Sequence, residues 1–145
     1  MLITGSEGFI GLALRDSQES KAQGYDLVHG DDIKDIKKLN RVFKAIQPDV
    51  VVNLAAISGV MDCYNNPREA VHTNTAGAVN VLEAARQNGV KKVILASSGA
   101  VNSLTSPYAA SKASMEAFGL AYMRAYGISV TSMRFTNIYG AGSID

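Results

Sequence analysis

In "DVVVNLAA" (Asp49 to Ala56), three valines stand in a row with no polar residue among them. A strand with one wet face alternates apolar and polar residues. A short unbroken apolar, β-branched run instead describes a strand covered on both faces, the habit of parallel sheets. Such a sheet needs helices between its strands, and the chain supplies them in alternation. "MLIT" reads as a buried strand ending at Gly5, and "GFIGLALRDSQ" as a helix with Phe9, Ile10, Leu12, Ala13 and Leu14 on its apolar face. "YDLVHG" reads as a second strand. "IKDIKKLNRVFKAI" carries Ile33, Ile36, Leu39, Phe43 and Ile46 at helical spacing and is stopped by Pro48. "PREAVHTNTAGAVNVLEAARQNG" is one long helix opened by Pro67 and closed by Gly89. "KKVILASS" is a strand, "SPYAASKASMEAFGLAYMRAYG" a helix and "SVTSMRF" a last strand. The expected fold class is α/β, a doubly wound parallel sheet in one domain over residues 1–145.

Composition narrows the classes of function. With 145 residues and 47% hydrophobic content, the chain can build one real core. The net charge is +1, and the densest basic stretch, "KDIKKLNRVFK", interleaves aspartate and apolar residues. That is the pattern of a solvated helix face, so no nucleic-acid partner is expected. Cys63 is the only cysteine, which excludes an intrachain disulfide and suits a reducing cytosol. No histidine lies close to it in sequence, so a nucleophilic role is not expected. No apolar run approaches the length of about 20 residues that a membrane span needs. Met1 leads straight into "LIT" without a charged region before an apolar stretch. The expectation is a soluble, cytoplasmic protein with no leader and no membrane partner.

Ligands of doubly wound sheets bind beyond the carboxyl ends of the strands. Polar and glycine residues gather at those ends here: Gly5-Ser6, Asp31-Asp32, Ala55-Ala56, Ser97-Ser98 and Thr136-Asn137. "TGSEGFIG" spaces Gly5, Gly8 and Gly11 at a strand-to-helix junction. The first glycine makes a tight turn, the second lets backbone N–H groups approach a pyrophosphate, and the third lets helix pack on strand. This points to a dinucleotide and a Rossmann-type sheet. Further on, Tyr108 and Lys112 stand four apart in a helical segment, so they share a face. A phenol has a pKa of about 10. A nearby ammonium and a positively charged nicotinamide would favour its phenolate. Ser98, at the end of the preceding strand, can donate to the same substrate oxygen and steady developing charge.

Together "TGSEGFIG", "NLAA", "NTAGAVNVLEAAR", "VKKVILASS", "SPYAASK" and "MRFTNIYGAG" resemble the extended short-chain dehydrogenase/reductase family, in particular its nucleotide-sugar epimerases, dehydratases and reductases of the UDP-glucose 4-epimerase type. The resemblance implies a catalytic trio of Ser98, Tyr108 and Lys112, with Lys112 also bonding the nicotinamide ribose. It places Gly5, Gly8, Phe9, Ile10 and Gly11 on the pyrophosphate loop and Asp32 with Ile33 at the adenine edge. Leu54, Ala55, Ala56 and Ser58 match the small-residue turn under the ribose and nicotinamide, and Thr73 a polar contact from the following helix. Thr136 would approach the nicotinamide, while Ser98, Tyr108 and Asn137 would meet the substrate.

Several features depart from the family pattern. The chain passes from "YDLVHG" to "DDIKD" at once, so a βα unit is missing and either Asp31 or Asp32 takes the adenosine ribose. An acid there disfavours a 2′-phosphate, which makes NAD the better fit than NADP. Asn53 stands where epimerases commonly carry histidine. Ser98 and Tyr108 are only ten apart, shorter than in relatives, and Asn102 replaces an aromatic. The chain stops at Asp145, where relatives continue into a C-terminal substrate lobe, so the expected architecture is a reduced form without that lobe. The expected activity is NAD-dependent nucleotide-sugar epimerisation, a UDP-hexose 4-epimerase working by hydride transfer and a 4-keto intermediate. The alternatives are a nucleotide-4-keto-sugar reductase and a non-catalytic NAD-binding module or fragment of a larger enzyme. A homodimer through the long helices is the family's habit.

Overall fold

The computed structural model describes residues 1–17 and 22–140. Five strands, β1 (Leu2–Thr4), β2 (Gln23–Tyr25), β3 (Val50–Asn53), β4 (Lys92–Ser98) and β5 (Ser129–Phe135), form one sheet in the order β2-β1-β3-β4-β5. Every pairing is parallel. The chain steps from β1 outward to β2, then back across β1 to β3. Strand order therefore reverses at β1 and β3, where doubly wound sheets open a crevice. Thr4 Oγ1 donates to Asn53 Oδ1 at 2.5 Å, tying the carboxyl ends of those two strands together. Asn53 thus serves the sheet at the position the resemblance gives to histidine.

Helices α1 (Phe9–Ser17), α2 (Ile36–Ile46), α5 (Ala78–Gln87) and α6 (Pro107–Tyr126) connect the strands, with the short α3 (Val60–Asn65) and α4 (Pro67–Ala70) before α5. Leu39 and Phe43 of α2, Val81, Leu82 and Ala85 of α5 and Met115 of α6 are buried in one core with Leu2, Val51, Val93 and Leu95 of the sheet. α6 is bounded as its sequence reads: Ser106 caps it by accepting from the Ala109 N–H at 3.1 Å, and Gly127 ends it at φ 71°.

Three elements differ from the sequence reading. The segment "YDLVHG" is not a strand: β2 ends at Tyr25, and Asp26 Oδ1 accepts from the Val28 N–H at 3.0 Å to start a 3₁₀ turn over Leu27–His29. Leu27 and Val28, apolar enough to read as buried, are 68% and 77% exposed. The helix from Pro67 is one continuous helix to Gln87, as read, but its middle, Val71–Gly77 between α4 and α5, is π-helical. α3 was not anticipated. The end of the first predicted helix at Gln18, and the segment 141–145, lie outside the described residues.

Candidate active site

The carboxyl ends of the strands surround one cleft of about 820 Å³. The glycine turn forms its floor. Gly5 sits at φ +69°, and a Cβ on it would come within 2.6 Å of the Ala55 nitrogen. A Cβ on Gly11 would collide with the Gly5 carbonyl oxygen and stand 2.7 Å from that of Ser6. Both glycines are therefore demanded by packing of turn, helix and neighbouring strand. Gly8 differs: its Cβ would meet nothing nearer than the Gly5 oxygen at 3.4 Å, and the residue lines the cleft. Its missing side chain leaves room for a ligand against the first turn of α1, where backbone N–H groups and the helix dipole favour an anion. Phe9, Ile10 and Gly11 line the same wall.

At the far end of the cleft stand three carboxylates, Asp26, Asp31 and Asp32. Asp31 is engaged by Lys38, with Nζ and Oδ1 2.6 Å apart. Asp32 Oδ1 accepts from the Lys34 N–H at 2.8 Å, while its carbonyl accepts from the Tyr25 hydroxyl at 3.0 Å. The acid at the end of β2 is Asp26, 9% exposed, whose Oδ2 accepts from the Glu7 N–H of the glycine turn at 2.9 Å. Asp26 thus places a carboxylate against the glycine turn, in the lining of the cleft. The sequence signal was present, an acid after an apolar residue, but the strand had been drawn several residues too long. Asp32 and Ile33 do line the cleft. The Ile33 side chain, however, is buried toward the helix layer, where its Cδ1 would lie 2.7 Å from a Cβ on Gly77, so that segment faces the cleft with backbone. Asn80 Nδ2 fixes that backbone, donating to the Ile33 and Lys34 carbonyls at 3.0 and 3.2 Å.

Leu54, Ala55, Ala56 and Ser58 follow β3 along the middle of the cleft, and Thr73 faces them from the π-helical turn. Thr73 Oγ1 donates to Glu69 at 3.2 Å, and Glu69 also pairs with Lys34, so charged side chains close this end of the cleft.

Ser98, Tyr108, Lys112 and Thr136 line the opposite end. Ser98 Oγ accepts from the Ala100 N–H at 3.2 Å, which leaves its own proton to donate. Tyr108 occupies the first turn of α6, a helix of 20 residues whose N-terminal dipole favours a negative oxygen there. Lys112 is 4% exposed; its Nζ donates to the Ala96 carbonyl at 2.8 Å and stands 5.9 Å from the centre of the Tyr108 ring. Burial pushes the Lys112 ammonium down to about 8. It remains mostly protonated near pH 7 and is the cation beside the phenol. Asn137 does not line the cleft: it is exposed, between Thr136 and Ile138, which do. Ser97, noted beside Ser98 at its strand end, also lines the wall, as do Phe135 and Ile57, which were not singled out from sequence.

Residues 1–145 match the NAD dependent epimerase/dehydratase family along their whole length. The chain belongs to that family. UDP-glucuronate 4-epimerase 4 of Arabidopsis thaliana is 30% identical over 183 residues, covering 97% of this chain and 42% of the relative. The structure of Thermus thermophilus UDP-glucose 4-epimerase complexed with NAD superposes with a TM-score of 0.87 at 30% identity, over 96% of this chain and 55% of that one. The Thermotoga maritima UDP-glucose 4-epimerase with UDP-glucose gives 0.87 at 26%, over 96% and 56%. The chain thus spans about half the length of the relatives it matches. The aligned stretch of 183 positions exceeds the chain's own 145 residues, so the epimerase relative carries residues within it that this chain lacks. The open Cβ position of Gly8, the Asp26 carboxylate and Lys112 all line one groove, a donor set that fits the family's dinucleotide.

Proposed function

We propose that this chain binds NAD and carries the proton-transfer chemistry of a nucleotide-sugar 4-epimerase acting on a UDP-hexose. One observation carries the reading: a buried ammonium, Lys112, stands beside a phenol at a helix N-terminus, inside a cleft floored by a glycine turn. Gly8 and the first turn of α1 would hold the pyrophosphate, Asp26 the adenosine ribose, and Ala55 and Ala56 the nicotinamide side. The bound dinucleotide supplies a hydride acceptor that gives the hydride back. The chain's residues handle the proton and the oxygen. Tyr108 Oη takes the proton of the sugar 4-hydroxyl as the C4–H bond breaks and a 4-keto sugar forms, then returns it when hydride is restored to the opposite face. Ser98 Oγ–H donates to the same oxygen and holds it. Lys112 lowers the energy of the phenolate and donates to ribose hydroxyls. Asp26 at the ribose disfavours a 2′-phosphate, which supports NAD over NADP. Exposed Phe118 and Tyr126 on α6 support a homodimer through that helix.

The test is epimer formation from UDP-glucose or UDP-galactose with added NAD, by the wild-type chain and by Tyr108→Phe. Tyr108→Phe should lose about 10²–10⁴-fold in kcat, the worth of a positioned acid–base group, with NAD affinity kept. Equal turnover by both chains would refute the role of Tyr108. A second reading is NAD binding by residues 1–145 without turnover. It would be the outcome if NAD binds and no nucleotide sugar is converted. Net reduction of a 4-keto sugar by NADH without epimerisation would mark a reductase instead.

A further inference from the structure

Behind the glycine turn stand two nitrogen-bearing side chains that the proposed chemistry does not use, Arg15 and His29. Glu7, between Gly5 and Gly8, lines the cleft, whereas Arg15 and His29 do not. All three meet at one atom. Glu7 Oε1 accepts from the Arg15 guanidinium and from the Ser6 hydroxyl, the latter at 3.2 Å, and lies 3.5 Å from His29 Nε2. The cluster is held at the end of β2 from three sides. The Glu7 N–H donates to Asp26 Oδ2 at 2.9 Å. The His29 N–H donates to the Asp26 carbonyl at 3.0 Å, closing the 3₁₀ turn that Asp26 starts. Arg15, in the last turn of α1, lies beside the bare Gly24 of β2, where an added Cβ would stand 3.7 Å from its Nη1. A carboxylate thus stands in the cleft lining with a guanidinium and an imidazole behind it. Without that carboxylate the same place would offer both groups to an anion. The guanidinium fork matches a phosphate, and a phosphate monoester carries a charge of about −1.5 to −2 near pH 7.

We propose that Glu7 masks a 2′-phosphate site made of Arg15 and His29, and so acts as a second determinant of NAD over NADP. This rests on the reading above that Asp26 meets the adenosine ribose. A phosphate on the 2′ oxygen of that ribose comes next to Asp26 and to the turn residue bonded to it. The Glu7 carboxylate repels that phosphate and also occupies the guanidinium that would bind it. The two acids therefore do different things. Asp26 accepts from the ribose hydroxyls, so removing it costs NAD affinity. The Glu7 carboxylate is spent on Arg15, Ser6 and His29, so removing it spares NAD and admits NADP.

The experiment measures Kd for NAD and for NADP by calorimetry with the full chain, Glu7→Gln, Arg15→Ala and the double variant. Glutamine keeps the size of the side chain and the backbone N–H to Asp26; Glu7→Ala replaces it in the test should Glu7→Gln not fold. The wild type should prefer NAD. Glu7→Gln should tighten NADP about tenfold or more, the scale of one charged hydrogen bond gained, while Kd for NAD stays within about twofold. The double variant should lose most of that gain, and Arg15→Ala alone should bind NADP no tighter than the wild type. A general loss of stability would instead weaken both dinucleotides together. A gain kept in full by the double variant would mean charge repulsion alone and would overturn the masked site. An unchanged Kd for NADP in Glu7→Gln, with NAD still bound, overturns the proposal and leaves the proposed function standing. A wild type that binds neither dinucleotide overturns both.

Discussion

Replacing Lys112 by methionine should make this protein more stable and less able to hold its cofactor. The usual lysine value of 10.5 falls to about 8 in the fold because burial penalises the charged form. At about 1.4 kcal/mol for each tenfold change in proton affinity, the buried ammonium costs the fold about 3 kcal/mol below pH 8. Between pH 8 and 10.5 the unfolded chain still holds the proton that the folded one has released. Stability therefore rises with pH through that window, and the penalty is gone above it. Methionine fills a similar volume without charge, but leaves the Ala96 carbonyl without its donor, a loss of about 1 kcal/mol. The net gain at pH 7 should be about 2 kcal/mol. Urea unfolding of both chains at intervals from pH 7 to 10.5 measures it. The Cys63 thiol of α3, pushed up by burial, is held down in part by Lys112, so the difference curve reads Lys112 together with that coupling, and Cys63→Ser in both chains removes it. The advantage of Lys112→Met should vanish and then reverse as pH passes from 8 toward 10.5. A variant less stable than wild type at pH 7, by an amount independent of pH, would refute the reasoning.

The glycine turn gives a paired prediction. Gly8→Ala should fold normally yet weaken NAD binding more than about tenfold, because its methyl projects into the cleft, whereas Gly11→Ala should lose about 1–3 kcal/mol or more of stability by overpacking against the turn. Thermal melts and calorimetric titration of both variants separate the effects. Asp26→Asn should lower the preference for NAD over NADP, read as the ratio of their Kd values. An unchanged ratio would return the ribose to Asp31 or Asp32.

Much of this architecture was legible because parallel sheets leave a strong trace in a single chain. The valine run of β3, the apolar "KKVILASS" and the capped α6 state their own type and length. What was hidden has local causes. Asp26 escaped notice because Leu27 and Val28 look like strand residues, and only the three-dimensional structure shows them in a turn open to water. The π-helical turn leaves no periodicity of its own, since one extra residue merely shifts the helical phase. Asn74 therefore read as an ordinary helix position, although its amide bonds both Ile57 and Ser111.

β5 is an edge strand among the described residues, hydrogen-bonded only to β4, and most of its length is exposed. Thr136, at the nicotinamide end of the cleft, directly follows it. Opening of this strand from β4 costs only one ladder, while opening of β3 would break two. β2 is the other edge, with three paired residues on β1, so the cleft lies between two strands that each rest on a single ladder. A ligand that touched both would act as a staple for the sheet, and its affinity would report how firmly β5 is seated.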